Sequence, residues 1–219
     1  MNRLFAWVLA LFLAVSPAIA DGVAIPGVPS VGQVGSAVSY PPANAATFSA
    51  LINFRATSGY VTDGGGQTYS IGDAFPTLRA GLTFGWTSIV GSIQTRDRTT
   101  SNGPRFAGIN FVGSTGVNEF TITLPAPGVY KVNYAINDPG GSSQSTQVTI
   151  KDNTTTLNTS GTLVTTTNIY DINGTSYASP SAYTAGTTPI SLTFATTTFN
   201  LILTGSGGSG VITNLSVTQ

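Results

Sequence analysis

Side chains able to do polar chemistry are few in this chain, and several of them stand close together in sequence. Arg96, Asp97 and Arg98 are consecutive, and Asn137 and Asp138 follow a run of alternating apolar residues. If the first group is extended, Arg96 and Arg98 face one side and Asp97 the other. Two guanidinium groups on one side would donate paired hydrogen bonds to hydroxyls or to acidic groups. The alternative is an Arg–Asp ion pair at the edge of a sheet.

Asp138 and the aromatic residues have two interpretations each. Asp138 could accept two hydrogen bonds from hydroxyls, or it could only begin an Asp-Pro-Gly turn. Trp86, the single tryptophan after residue 20, could present its ring to a ligand or pack in the core. Tyr69 follows a Gly-rich stretch that is predicted to be a loop, where a ring is less easily buried. Residues 63–66 could cradle a ligand, offer carbonyls to calcium, or form a plain turn.

The composition excludes several classes of protein. The chain has no histidine and no cysteine, which excludes the usual catalytic triads and zinc sites and leaves oxygen-ligand metals such as calcium. Its eight basic and eight acidic residues give no basic surface for a nucleic-acid backbone. Glycoside hydrolysis needs two carboxylates. Glu119 is the only glutamate and the aspartates are scattered, so we predict that the chain is not an enzyme, with a hydrolase as a third possibility.

Apolar residues alternate with polar ones on both sides of the break Pro125-Ala126-Pro127-Gly128. This pattern predicts an antiparallel hairpin with one buried face over residues 120–138, and residues 201–217 predict a second hairpin. No segment after residue 20 shows a helical period. The predicted fold is an all-β antiparallel sandwich. Its strands are predicted at 51–54, 81–86, 106–112, 119–124, 129–137, 146–151, 163–170, 189–194, 199–204 and 211–217.

The first residues are typical of a secretory signal peptide. Arg3 precedes an apolar run over residues 4–15, and Ala18-Ile19-Ala20 has small residues where signal peptidase cleaves. We predict export from this pattern, with a short membrane anchor as the alternative, and no stable membrane span. Residues 21–50 are rich in Pro, Gly and Ala and are predicted to be a flexible segment. Residues 51–219 are predicted to form a single β-sandwich domain.

A series of short motifs suggests a family. Their order is Ile52-Asn53-Phe54, Gly59-Tyr60 with Asp63, Phe84-Gly85-Trp86, Arg96-Asp97, and the 120–138 segment ending in Asn137-Asp138. Together they resemble the malectin-like and carbohydrate-binding-module domains of the galactose-binding-like β-sandwich group, with Phe84 and Asn137 departing from its pattern. The resemblance implies a jelly roll of two antiparallel sheets that binds glycans at loops or on a concave face. It also implies a possible structural calcium and no other cofactor.

The leading hypothesis is therefore a secreted, lectin-like, non-catalytic domain that binds a polysaccharide or glycoconjugate, with a role in adhesion or targeting. Aromatic stacking and Asp/Arg hydrogen bonds would come from Tyr69, Trp86, Arg96, Arg98, Asn137 and Asp138. The alternative is a self-assembling surface or matrix protein, a homo-oligomeric fibre or adhesin subunit. The chain has few charged residues that could prevent its edge strands from pairing with another copy. A binding module should bring Tyr69, Arg98 and Asp138 near one concave surface. A structural subunit should show an uncharged edge strand or a strand-like arm from residues 21–47.

Overall fold

Short strands rich in β-branched and aromatic residues make up most of the folded chain. The computed structural model describes residues 47–56, 68–90, 93–98, 108–112, 117–138, 144–165, 170–178, 188–205 and 210–219, and this part is all-β. Its strands, in chain order, are β1 (Ser49–Phe54), β2 (Thr68–Ser70), β3 (Thr77–Arg79), β4 (Leu82–Ser88), β5 (Gln94–Asp97), β6 (Gly108–Val112), β7 (Val117–Thr123), β8 (Gly128–Ile136), β9 (Gln144–Asp152), β10 (Thr155–Thr159), β11 (Leu163–Thr165), β12 (Tyr170–Ile172), β13 (Thr175–Tyr177), β14 (Ile190–Phe194), β15 (Thr198–Gly205), β16 (Gly210–Ile212) and β17 (Asn214–Thr218).

The strands form two large sheets and one small one. Sheet I has the order β13-β12-β8-β17-β1-β2, with β14 also paired to β8. Sheet II has the order β10-β9-β15-β7-β4-β3, with β11 also paired to β9, and sheet III has the order β16-β6-β5. Nearly every pairing is antiparallel, and the β1–β2 pair is parallel.

The core lies between the inner faces of sheets I and II. Phe54 of sheet I and Phe120 of sheet II meet edge to face, with ring centroids 5.0 Å apart. Phe194 of sheet I lies 5.7 Å from Phe199 of sheet II. All four side chains are buried in one continuous apolar cluster. The predicted antiparallel β-sandwich is therefore confirmed. The edge-to-face contact of Phe54 with Phe120 is an arrangement that ring quadrupoles favour.

The predicted hairpin over residues 120–138 is wrong. β7 pairs with β15 and β4 in sheet II, whereas β8 pairs with β17, β12 and β14 in sheet I. The segment between them crosses from one sheet to the other. Pro125 and Pro127 have no N–H to donate to a hairpin ladder, and the N–H of Leu124 instead bonds the carbonyl of Thr197. Both strands still bury their alternating apolar residues, but against the core from opposite sides.

The predicted hairpin over residues 201–217 is also wrong. β15 belongs to sheet II, β16 to sheet III and β17 to sheet I. The chain changes sheet at Thr213, whose Oγ1 donates a hydrogen bond to the carbonyl of Ala135. The segment predicted as one strand over 163–170 likewise contains two strands, β11 in sheet II and β12 in sheet I.

Glycine at one position lets sheet III approach sheet I. A Cβ on Gly108, the first residue of β6, would lie 2.5 Å from the carbonyl oxygen of Phe54 at the end of β1. No Cβ tolerates such a distance, so only glycine fits there without a backbone shift. This contact places the start of β6, and with it the end of its partner β5, beside the end of β1.

Candidate functional site

Three strands of sheet I finish at the same end. β1 and β8 both pair antiparallel with β17, and β2 runs parallel to β1. Asn53 of β1 and Ala135 of β8 both lie opposite Asn214 of β17. Arg55 and Asn137 each follow two residues later, so they lie at the same level of the sheet. The residues that follow these strands are therefore brought together, although about 80 positions separate them in sequence.

Arg98 and Asp138 form an ion pair at this end. The Nε and Nη2 atoms of Arg98 donate to the two carboxylate oxygens of Asp138 at 2.9 and 3.0 Å. Asp138 is 1% exposed and Arg98 is 20% exposed. The fork-to-fork geometry fixes the plane of the guanidinium group. The sequence left an Arg–Asp ion pair open for Arg98 but did not assign that role to Asp138. One-fifth of the Arg98 side chain remains exposed.

A second ion pair joins Arg55 to Asp97. The Nε atom of Arg55 donates to Oδ1 of Asp97 at 3.3 Å, and the backbone N–H of Ala56 donates to the same oxygen at 3.0 Å. Arg55 is 2% exposed, because the end of β1 is covered by the start of β6 at Gly108. Asp97 thereby connects sheet III to sheet I, and a buried guanidinium in this position requires such a carboxylate.

A third pair, Arg79 with Asp73, lies beside Tyr69. The two terminal nitrogens of Arg79 donate to the two oxygens of Asp73, each at 2.9 Å. The guanidinium carbon lies 4.2 Å from the centre of the Tyr69 ring. Burial on its own would raise the pKa of Asp73, but the hydrogen bond and charge of Arg79, with the N–H of Ile71, outweigh it and lower the pKa. The charge of Asp73 is thus stabilised in the fold.

Arg96 differs from the other three arginines. Its guanidinium carbon lies 4.5 Å from the centre of the Phe111 ring, and Nη2 donates to Oε1 of Gln94 at 3.3 Å. Arg96 is exposed, and it has no carboxylate partner among the described residues. We call this part of the molecule the arginine end, defined as Arg55, Asp73, Arg79, Arg96, Asp97, Arg98 and Asp138.

Most described charge of the protein lies at the arginine end. It holds four of the six basic residues in the described part of the chain, the others being Lys131 and Lys151. Three connecting segments, residues 57–67, 99–107 and 139–143, begin within two residues of its ion pairs and lie outside the described residues. The bonds of Arg55 and Arg98 tie together the points at which these segments leave the sheets.

The remaining predicted site residues are placed differently from one another. Trp86 is 2% exposed and packs against Phe120 at 5.2 Å, so it is a core residue and offers no face to a ligand. Asn137 is fully buried. Tyr69 is half-buried and lies in β2, which corrects the prediction that it stands on a loop. Arg79 covers one face of its ring. The prediction for residues 63–66 lies outside the described residues.

Sequence reasoning missed all three ion pairs. Arg55 and Asp97 are 42 residues apart, and neither Asp73 nor Arg79 belongs to a recognisable motif. The clearest signal in the sequence was its small number of charged residues, because a charged side chain that is buried is nearly always paired.

In the described ranges no three acidic side chains gather as a calcium site would require. The same ranges contain no helix long and apolar enough to cross a bilayer.

No protein-family model matches this chain, and no curated protein matches it in sequence. The chain resembles several solved structures. One is a chain from the crystal structure of the complex that the plant peptide RALF23 forms with FER and LLG2, at 16% identity and a TM-score of 0.43. That match covers 78% of this chain, which spans only 40% of the other. Two carbohydrate-binding modules are also similar. One is the C-terminal CBM6 of LamC, a marine laminarinase from Zobellia galactanivorans, at 14% identity, a TM-score of 0.32 and coverages of 58% and 88%.

The other is a module of Cellvibrio mixtus lichenase 5A in complex with cellotriose, at 10% identity and a TM-score of 0.34. The match covers 58% of this chain and 86% of that module. At these identities and TM-scores the likenesses do not indicate what this chain binds, and its ligand has to be inferred from its own residues.

Proposed function

We propose that this chain is a secreted, non-catalytic carbohydrate-binding domain whose site is the arginine end. The observation that carries the proposal is that Arg96 and Arg98, which both have exposed surface, lie at the arginine end of a charge-poor sandwich, where Arg55 and Arg79 are held by aspartates. Three of these four arginines are held by carboxylates, which restricts their side-chain motion before any ligand arrives. Pre-ordered donors bind hydroxyl-rich ligands at a lower entropic cost than free side chains do.

The roles of the site residues follow from their contacts. Both oxygens of Asp138 accept from Arg98, so Asp138 acts by positioning Arg98 and not by accepting bonds from the sugar. The outward edge of Arg98 donates to ligand hydroxyls. Tyr69, which is partly exposed beside Arg79, supplies apolar ring surface. Trp86 and Asn137 support the fold and do not touch the ligand, because both are buried.

Export and the absence of catalysis complete the proposal. Residues 1–20 have the charge, apolar run and small residues of a signal peptide. The lack of histidine and cysteine excludes the usual catalytic triads, and glycoside hydrolysis would need a pair of carboxylates. Among the described side-chain carboxylates, the three aspartates of the arginine end are each bonded to an arginine, and Glu119 accepts a hydrogen bond from Thr87 on sheet II. The other two, Asp152 and Asp171, are buried. We therefore assign binding, and we assign the ligand as a polysaccharide or glycoconjugate.

A glycan array of the chain without residues 1–20, with and without calcium, tests this function. Glycans that bind are then titrated calorimetrically against the wild type and Arg98→Lys. This variant keeps the positive charge but lacks the planar set of paired N–H donors of the guanidinium group. We expect weaker binding in Arg98→Lys and unchanged binding in Lys151→Gln, which removes a charge elsewhere. If no glycan binds at all, or if both variants weaken binding equally, the site assignment is wrong.

A second function, self-association, is favoured by the edges of the sheets. β14, β13 and β10 contain no charged residue, and within the described residues each pairs with a neighbour on one side only. Uncharged edges of this kind can pair with another copy. Analytical ultracentrifugation across a wide concentration range tests it. Ser191→Lys, on the exposed side of β14, should abolish any oligomer, and a wild type that stays monomeric throughout would rule this function out.

A further inference from the structure

Two arginines of the arginine end stack on aromatic rings, and they differ in one respect. Arg79 lies over Tyr69 at 4.2 Å and Arg96 over Phe111 at 4.5 Å. Arg79 uses its terminal nitrogens on both oxygens of Asp73. Arg96 makes one hydrogen bond, to Gln94 at 3.3 Å, and no carboxylate faces it in the described residues.

The charges of the arginine end do not balance. Three aspartates, each bonded to one arginine, neutralise three of the four guanidinium groups. The positive charge that remains is that of Arg96, and Arg96 is exposed. An exposed, unpaired cation attracts anions through water. Because the chain carries few other basic groups, few other places on it attract the same anions.

Stacking prepares Arg96 for a particular kind of partner. The ring of Phe111 is buried in the core, so it gives the guanidinium group of Arg96 a fixed surface to lie over. A stacked guanidinium keeps its N–H groups directed outward along its edge. That edge matches two oxygens of a carboxylate or a sulfate, which accept a pair of parallel hydrogen bonds. The neighbouring Arg98, one-fifth exposed, adds donors on the same strand end.

We infer that the ligand of the arginine end is an acidic glycan whose oxyanion binds Arg96. The inference rests on the proposed carbohydrate-binding function and narrows its ligand to sugars that carry a carboxylate or a sulfate group. Hydroxyls of the same chain bind Arg98, and Tyr69 contacts the sugar ring. Asp73 blocks the equivalent edge of Arg79, which assigns Arg79 to positioning Tyr69.

The test uses pairs of polymers that differ only in the acidic group. Polygalacturonate is compared with its carboxyl-reduced form, and dextran sulfate with dextran, by calorimetric titration at two salt concentrations. We expect the acidic member of at least one pair to bind about tenfold tighter, as a charge-assisted bidentate contact allows. The pair that shows this preference identifies the oxyanion as carboxylate or sulfate.

Variants separate the specific contact from general charge attraction. Arg96→Gln should reduce the acidic preference to about that of the neutral polymer, Arg96→Lys should retain only part of it, and Lys151→Gln should leave it unchanged. Arg96 is exposed, so these variants should fold, which thermal unfolding checks. Equal binding of acidic and neutral polymers by the wild type, or equal losses in Arg96→Gln and Lys151→Gln, would overturn the inference while the carbohydrate-binding function stands. No binding to any polymer would overturn both.

Discussion

Asp138, just beyond the end of β8, and Asp171, in β12, are two buried aspartates with opposite surroundings. Asp138 is 1% exposed and receives two hydrogen bonds from the guanidinium group of Arg98. Asp171, in β12, is 0% exposed, and its Oδ1 accepts one bond, from the N–H of Gly174 at 2.9 Å. Its Oδ2 has no partner among the described residues. Equal burial therefore does not give equal chemistry, because only one of the two carboxylates has a counter-ion.

The surroundings of Asp171 favour its neutral form. Burial raises the pKa of Asp171 to about 6, and the bond from Gly174 offsets only part of that effect. The hydroxyl of Tyr134, on the adjacent strand β8, is the titratable group that faces it. Burial and the charge of Asp171 raise the pKa of Tyr134 to about 12, although a bond with Ser160 acts the other way. Protonation of Asp171 removes a buried charge that nothing basic in the described surroundings balances.

Removing Arg98 should cause the largest loss of stability. Arg98→Leu removes two charge-assisted hydrogen bonds from the carboxylate of the buried Asp138, and breaking a buried pair in this way costs about 3–5 kcal/mol. Urea unfolding at pH 7.5 measures the change in the free energy of unfolding. Asp138→Asn should cost less, because the remaining Arg98 is one-fifth exposed and can be hydrated. A larger loss in Asp138→Asn than in Arg98→Leu would show that the pair is not stabilised in this way.

The sequence predicted many of the strands, but it could not predict to which sheet each strand belongs. Alternation in β7 and β8 correctly predicts two strands with one buried face each. It carries no information on which neighbour a strand pairs with, so it could not show that the two strands lie in opposite sheets. Strands of three or four residues, such as β2 and β5, are too short to show a period at all.

The sequence pointed to some residues of the arginine end and to none of its contacts. Arg98 and Asp138 stood out as polar residues at strand ends, but they are 40 positions apart and nothing local joins them. The sequence allowed a buried or an exposed Trp86, and only its packing against Phe120 decides between them. The partner of Arg96 is Phe111, an apolar residue that no polar motif would select.

Asp171 should make the protein more stable in mild acid than at neutral pH. Its pKa is 3.8 ordinarily and about 6 in the folded protein, so the folded state binds the proton more tightly. The stabilisation is fully present below pH 3.8 and is lost as the pH rises through about 6, on the order of 3 kcal/mol in all. Chemical unfolding of wild type and Asp171→Asn from pH 4.5 to 8 measures it as the difference between the two curves. A difference that does not change with pH would contradict the assignment.

Replacing Asp171 by asparagine should stabilise the protein at neutral pH. Asparagine keeps an oxygen that accepts from Gly174 and removes the buried negative charge. We expect a gain of about 1–2 kcal/mol at pH 7.5, smaller than the full titration effect because the amide nitrogen also needs a partner. Asp152→Asn is the matched control, since the carboxylate of Asp152 accepts from the N–H groups of Ala195 and Thr196. That change should destabilise, and a gain in both variants would indicate a general effect of lowered negative charge.

Breaking the pair of Arg79 and Asp73, which is less buried than that of Arg98 and Asp138, should have the smallest effect, and its pH dependence should have the opposite sign. Both side chains are partly exposed, so Arg79→Gln should cost about 0.2–1 kcal/mol at pH 7.5. The pKa of Asp73 is lowered from 3.8, so its stabilisation is present above pH 3.8 and is lost as the pH falls through the lower, folded value. Acid unfolding should therefore begin at a higher pH in Arg79→Gln than in wild type, whereas Asp171→Asn should remove the acid-side gain without moving that onset. An unchanged onset in Arg79→Gln would mean that the guanidinium group does not hold Asp73 in its charged form.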